Sequence, residues 1–242
     1  MVSVATICDS INYIQAEIVN FVTNLISTND LRLQFQIGDK TIQVLNGISF
    51  EVEAGEIVSV VGPSGSGKTS LMMILAGLEK ATSGEVSVAG QNLLKLSEDQ
   101  LAVFRRQSVG IIFQNFHLVP TMTALENVAL PLEFAGHSNA MTQASEILDK
   151  VGLEDRLTSY PGQLSGGEQQ RVGIARAMVA KPKILFADEP TGNLDQDTGK
   201  RVTDLLFSLC RDQGSAMMLI THDPHLATLA DRQVHLQNGH LS

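Results

Sequence analysis

Three short stretches of this chain set hydroxyl or charged side chains beside glycines or at the end of an apolar run, and each spacing fits phosphate chemistry. The first is Gly62-Pro63-Ser64-Gly65-Ser66-Gly67-Lys68-Thr69, followed by Ser70. It fits GxxxxGK[ST], in which glycines let the backbone curl until several N–H groups converge on one anion. A helix expected from Lys68 adds the partial positive charge of its N-terminus. Lys68 is then placed to reach the β- and γ-phosphates of a nucleotide, and Thr69 to offer its hydroxyl to Mg2+. This loop alone does not separate an ATPase from a GTPase or a kinase, although no NKxD base-reading motif accompanies it.

The second stretch is Ile184-Leu185-Phe186-Ala187-Asp188-Glu189. A carboxylate at the end of a buried strand holds Mg2+ directly or through water, which suits Asp188. Adjacent side chains on a strand face opposite ways, so Glu189 is free to polarise a water for in-line attack on a γ-phosphate. The third stretch is Ser165-Gly166-Gly167-Glu168. A Ser N-cap followed by two glycines leaves a helix N-terminus bare, which makes a second anion-binding end. One nucleotide does not need two such ends in one chain, so this one is expected to complete the site of another copy.

The elements that must position these residues follow from hydrophobic period. Strands are expected at Leu31–Gln36, Thr41–Glu53, Glu56–Val61, Glu85–Ala89, Val109–Phe113, Ile184–Ala187, Ala216–Ile220 and Gln233–Leu236. Helices are expected over Lys68–Ala76, from Ser97 to about Arg106, from Thr123, over Met141–Val151, from Ser165 to about Ala180, over Thr198–Arg211 and over His225–Ala230. Ser97, Thr123 and Ser165 each stand three residues before Gln or Glu, as a capping box requires. Strand–helix alternation at both ends implies an α/β fold with a doubly wound parallel sheet, and the helical middle reads as an inserted lobe. Upstream, Ile7, Ile11, Ile14, Ile18, Phe21 and Leu25 recur at helical spacing, so residues 1–30 read as a helical extension; a partner-facing helix and an over-long start both accord with it.

Composition narrows the class. Lys and Arg number 17 against 26 Asp and Glu, a net charge of −9, which argues against general nucleic-acid binding because that needs excess cations. With 43% hydrophobic residues the chain can build a core. The two cysteines, Cys8 and Cys210, sit in no CxxC or Cys/His cluster and read as reduced thiols. No apolar run reaches the roughly 18 residues that a membrane-spanning helix needs, and the start lacks the pattern of a signal peptide.

With Leu164-Ser165-Gly166-Gly167-Glu168-Gln169-Gln170-Arg171 between the other two motifs, residues 31–242 resemble the ATP-binding cassette (ABC) ATPases, whose signature motif this is. The resemblance implies a P-loop NTPase core with a parallel sheet, an antiparallel β subdomain and an inserted α-helical subdomain over about 115–170. It places Gln114 as the Q-loop glutamine that senses Mg2+ and the γ-phosphate, and Gly192-Asn193-Leu194-Asp195 as the D-loop with Asp195. His222 becomes the switch histidine and Phe35 the aromatic that stacks on adenine. It further implies a homodimer formed head to tail on ATP and Mg2+, with Ser165, Gly166, Gly167 and Glu168 acting in trans and Glu189, His222 and Gln114 catalytic. The wording of Phe113–Val128 and Phe186–Asp195 is similar to the LolD/MacB/YbbA group. There the ATPase pairs with an integral membrane permease and sits, peripheral, on the cytoplasmic face of the membrane. The apolar residues Phe116, Leu118, Val119 and Met122 are where that group docks the permease, and core packing is the other reading of them. Two rival functions stay open: a soluble ABC ATPase serving another protein machine, and an FtsE-like, non-transporting regulator of the envelope.

Overall fold

The computed structural model describes residues 24–242. It contains two sheets. Strands β1 (Asn24–Ile37), β2 (Lys40–Glu53), β4 (Ser83–Val88) and β5 (Gln91–Asn92) form an antiparallel sheet in the order β2-β1-β4-β5. The second sheet has the order β10-β9-β3-β8-β7-β6, from β3 (Ile57–Val61), β6 (Val109–Ile112), β7 (Ile184–Asp188), β8 (Ala216–Ile220), β9 (Arg232–Gln237) and β10 (His240–Leu241). All its pairs are parallel except β9 with β10.

The central parallel strands β3, β7 and β8 are almost wholly apolar because both their faces are covered, whereas the outlying β9 is largely polar and exposed. In β8, Met217 and Leu219 join one core, while Ala216, Met218 and Ile220 join the other. In β7, Leu185 and Ala187 face the first core, and Ile184 and Phe186 the second. The first core is filled by helices α3 (Ala124–Phe134), α4 (Ala140–Lys150), α5 (Gly166–Met178) and α6 (Gln196–Gln213). The second is filled by α1 (Lys68–Leu75), by Leu101 and Phe104 of α2 (Glu98–Ser108), and by the inner face of the antiparallel sheet.

The three expected capping boxes all form, at Ser97, Thr123 and Ser165. Asp195 caps α6 by accepting from the Thr198 N–H at 3.0 Å, so that helix starts two residues before the expected Thr198. The helix over Ile7–Leu25 lies outside the described residues except at its end, and there the expectation is corrected. Asn24 already opens β1, where Ile26 pairs with Val52 on one side and Val88 on the other. Leu25 fits a helical period, but the pairing of its neighbour Ile26 with Val52 and Val88, in two other strands, decides its conformation. Cys210 is buried, and burial pushes its thiol up to about 12, which makes it unreactive; Cys8 lies outside the described residues.

Candidate active site

In a parallel sheet the ligand crevice lies beyond the carboxyl ends of the strands. Four such ends converge here. Gly62 follows β3, Gln114 follows β6, Asp188 ends β7 with Glu189 next to it, and His222 follows β8. Together with Ser64, Gly65, Gly67, Lys68, Thr69 and Ser70 they line one open cavity of about 420 Å3. The antiparallel sheet reaches its wall through Val44, not through Phe35. Phe35 stands on β1 opposite Ile42, with both side chains more than 40% exposed. Pro63 and Ser66 belong to the loop but do not line the cavity; Ser66 is buried beneath it.

The loop's glycines are required by its surroundings. A Cβ at Gly62 would overlap the Leu236 carbonyl of β9. Gly67 has φ of +103°, and a Cβ there would stand 2.9 Å from Leu45 Cδ2 and 3.0 Å from the Val44 carbonyl. From the first residue of α1, the Lys68 ammonium donates to the carbonyls of Gly62 at 2.8 Å and Pro63 at 2.9 Å, which holds it over the loop. Thr69 donates its hydroxyl proton to Asp188 Oδ2 at 2.9 Å. Burial pushes the Asp188 carboxyl above the usual range; the Thr69 bond opposes this, Glu189 adds to it and Lys68 opposes it. Asp188 and Thr69 thus form a hard, all-oxygen donor pair beside the phosphate loop. That suits Mg2+, which is bound by one or two carboxylates and takes its remaining ligands from phosphates and water.

Glu189 occupies the left-handed region at φ +47°, rare for a residue with a Cβ. Its N–H donates to the Ile220 carbonyl at 2.9 Å, which fixes the backbone against β8. The carboxylate is mostly covered and accepts from His222 Nδ1 at 2.7 Å, while the His222 ring is 74% exposed. A carboxylate only accepts, so Nδ1 carries the proton and Nε2 is left for the cavity.

The signature residues lie elsewhere. Ser165, Gly166, Gly167 and Glu168 line a second recess of about 500 Å3 with Arg171, Asn193, Leu194, Asp195, Thr198 and Arg201, and it shares no lining residue with the first cavity. The N-terminus of α5 is anchored there. Ser165 donates to Glu168 Oε2 at 2.7 Å through its hydroxyl and at 2.8 Å through its N–H, and Arg156 donates to Glu168 Oε1 at 2.9 Å. The Arg156 guanidinium, then the Ser165 hydroxyl and N–H, bring the Glu168 carboxyl down from 4.5 to about 2. Because the folded value lies below the unfolded one, the carboxylate's contribution to stability is complete above about pH 5 and is lost as pH falls toward 2. Glu168→Gln is therefore expected to destabilise the protein at pH 7 and to do so by a clearly smaller margin near pH 2.5. Urea unfolding midpoints at the two pH values check this, and a pH-independent difference would refute it.

Phe116, Leu118, Val119 and Met122 are half-buried. Leu118 packs on the first core, and the fully buried Asn127 holds this segment by accepting from the Val119 N–H and donating to the carbonyls of Val119 and Met122. Sequence reasoning missed Val44, Asn193, Arg156, Arg171, Arg176 and Arg201. Asn193 lay inside a quoted motif, but nothing local marks which residues it bonds.

The comparisons accord with this geometry. The family model described as ABC transporter matches residues 45–192. The chain belongs to the ABC transporter family. It is 47% identical over 220 residues to the ABC transporter ATP-binding protein YbbA of Escherichia coli K12, covering 90% of this chain and 96% of that one. It is 46% identical over 222 residues to the macrolide export ATP-binding/permease protein MacB of the same organism, covering 91% of this chain and 34% of MacB. Its fold matches the ATP-binding cassette MJ0796 in a dimeric post-hydrolysis state bound to ADP and phosphate. That match has a TM-score of 0.83 at 37% identity and covers 90% of this chain and 96% of the other. This cassette is an ATP-binding, ATP-hydrolysing subunit of the ABC type. Among its described residues no helix is long and apolar enough to cross a membrane.

Proposed function

We propose that the cassette is the motor of a membrane complex, that it works as a head-to-tail homodimer, and that a separate integral membrane permease supplies the path. The observation that carries this is the division of phosphate-binding parts between two recesses of one chain. A loop cavity on one copy and the bare α5 N-terminus of a second copy make one nucleotide site, and C2 symmetry makes two.

In each site the loop N–H groups over Gly62–Ser70, to which Pro63 contributes none, and the Lys68 ammonium bind the phosphates. Asp188, Thr69 and Gln114 would hold Mg2+, which would supply charge neutralisation to the phosphates. Glu189 accepts a proton from the attacking water, and the His222 Nδ1–H bond sets the direction of its carboxylate. A protonated His222 offers its Nε2–H to charge developing on the transferring phosphate. Ser165 and the amides of Gly166 and Gly167 from the second copy close on the γ-phosphate, so its loss on hydrolysis removes the bridge. Phe35 and Ile42, exposed beside one another, offer an apolar face to the base. Gln114 leads directly into Phe116–Met122, the segment that meets the permease, which would hold the cassette peripherally at the cytoplasmic face of the membrane.

The test is capture of tagged Glu189→Gln protein from detergent-solubilised native membranes with Mg-ATP, followed by mass spectrometry. Recovery of one stoichiometric integral membrane protein is expected. Recovery of soluble proteins alone, or of none, would overturn the permease part of the proposal.

A further inference from the structure

Glu168 puts a carboxylate at the helix N-terminus that, on the reading above, must receive the γ-phosphate of a second copy. An acid in the first turn stabilises its own helix, because it satisfies free N–H groups and opposes the positive end of the dipole. For the same reason it competes with an incoming anion. Three donors meet this carboxylate. Ser165 donates to Oε2 through its hydroxyl at 2.7 Å and through its N–H at 2.8 Å, and Arg156 Nε donates to Oε1 at 2.9 Å. The Glu168 side chain is only 19% exposed, so water alone solvates its charge poorly. The other carboxylate of the recess, Asp195, is already engaged in capping α6.

Ser165 has one hydroxyl proton, and Glu168 holds it. To donate that proton to a phosphate, Ser165 must let go of the carboxylate, which then keeps the Ser165 N–H on Oε2 and Arg156 on Oε1. Arg156 is fixed in place for this. It ends a short helical turn, Glu154–Arg156, where its N–H donates to the Leu153 carbonyl at 3.0 Å and its carbonyl accepts from the Ser159 N–H at 2.9 Å. Arg156 does not line the recess, so it acts on a nucleotide there only through Glu168. We infer that Arg156 is a positioning residue for the nucleotide bound by the partner copy. By offsetting the charge of Glu168 and holding its second oxygen, it frees the Ser165 hydroxyl and lets the α5 N-terminus accept a phosphate. The inference rests on the two-recess reading of the dimer and adds to it the residue that makes the recess receptive.

The test is an ATP titration of dimer formation in the Glu189→Gln background, read by size exclusion. Arg156→Ala is expected to raise the ATP concentration for half-dimerisation about tenfold, the scale of one hydrogen bond to a charged group. Binding of a fluorescent ADP analogue to the monomer should stay within about twofold of the parent, because Arg156 and Glu168 lie outside the loop cavity. Adding Glu168→Gln to Arg156→Ala removes the charge that Arg156 offsets. The combined change should bring half-dimerisation back to within about threefold of the Glu189→Gln parent. It also takes a carboxylate away from the α5 cap, so the urea midpoint should not rise with it. The ratio between Arg156→Ala and its parent should shrink as salt is raised from about 0.05 to 0.5 M, since screening weakens the repulsion between Glu168 and the phosphate.

A combined variant that dimerises no better than Arg156→Ala would overturn the inference, as would a recovery in which dimerisation and urea midpoint rise together. Either result would make Arg156 a support for the fold alone. A salt-independent ratio, or a loss of monomer nucleotide binding as large as the loss of dimerisation, would also overturn it. If Glu189→Gln itself fails to dimerise with ATP, the two-recess reading falls and this inference falls with it. If Glu189→Gln dimerises and Arg156→Ala matches it at every ATP concentration, only the role of Arg156 is wrong.

Discussion

Glu189→Gln is expected to yield a cassette that binds ATP, forms an ATP-dependent dimer and turns over roughly a hundred- to ten-thousandfold more slowly. The backbone places the side chain at φ +47° with its N–H tied to Ile220, and neither feature depends on the carboxylate. A Gln amide oxygen can still accept from His222 Nδ1, which lies 2.7 Å from the native carboxylate. The geometry therefore survives while the proton acceptor is lost. Replacing the carboxylate also removes a negative charge from the cavity that receives the γ-phosphate, so the closed dimer should outlast that of the parent. Steady-state phosphate release and size exclusion with Mg-ATP read the two effects separately. Turnover at the parental rate would show that Glu189 is not the base. His222→Ala should lose less, because it removes the group that orients the base and leaves the base itself.

The parts of this fold that show in the sequence are those whose cause is local. Buried strands such as Ala216–Ile220 are apolar at every position because each face packs on its own core, and the three capping boxes carry both their partners within three residues. The loop at Gly62 is legible for the same reason, since strand, glycines, lysine and helix follow one another without a break. What does not show is decided at a distance. Asn24–Asp30 is strand because Val52 and Val88 pair with Ile26, although Leu25 continues a helical period. Strand β10 is two residues that exist only by pairing with β9. The assembly of Gln114, Asp188 and His222 in one cavity depends on the order in which β6, β7, β8 and β3 lie side by side. The grip of Asn193 on Gln114 spans 79 residues, and a lone Asn has no period to betray it. Phe35 is the instructive case. Its spacing suggests an adenine-stacking aromatic, but the spacing does not show that Val44 of the neighbouring strand lines the cavity while Phe35 stands outside it, exposed near the end of the hairpin.

The second large effect belongs to Lys68. Lys68→Ala is expected to weaken ATP binding by roughly ten- to a hundredfold, the range for loss of one hydrogen bond to a charged group. The ammonium already lies over the mouth of the loop, 2.8 Å from the Gly62 carbonyl and 2.9 Å from the Pro63 carbonyl, so little reorganisation is needed to engage a phosphate. Gly62 lines an open cavity and Pro63 is exposed, so both carbonyls can turn to water when the side chain is removed and the folded state should lose little stability. Lys68→Arg should not restore affinity, because a planar guanidinium needs a wider, forked site than the loop provides. Equilibrium binding of ATP to the monomer gives the direct measurement. Combining the change with Glu189→Gln separates binding from chemistry. The double variant should fail to dimerise at ATP concentrations that dimerise Glu189→Gln, and should recover as ATP is raised, because a binding defect is overcome by mass action whereas a lost base is not. Unchanged affinity in Lys68→Ala would remove the loop from the phosphate site. Failure to recover at saturating ATP would instead mean that Lys68 is needed to close the dimer on nucleotide already bound.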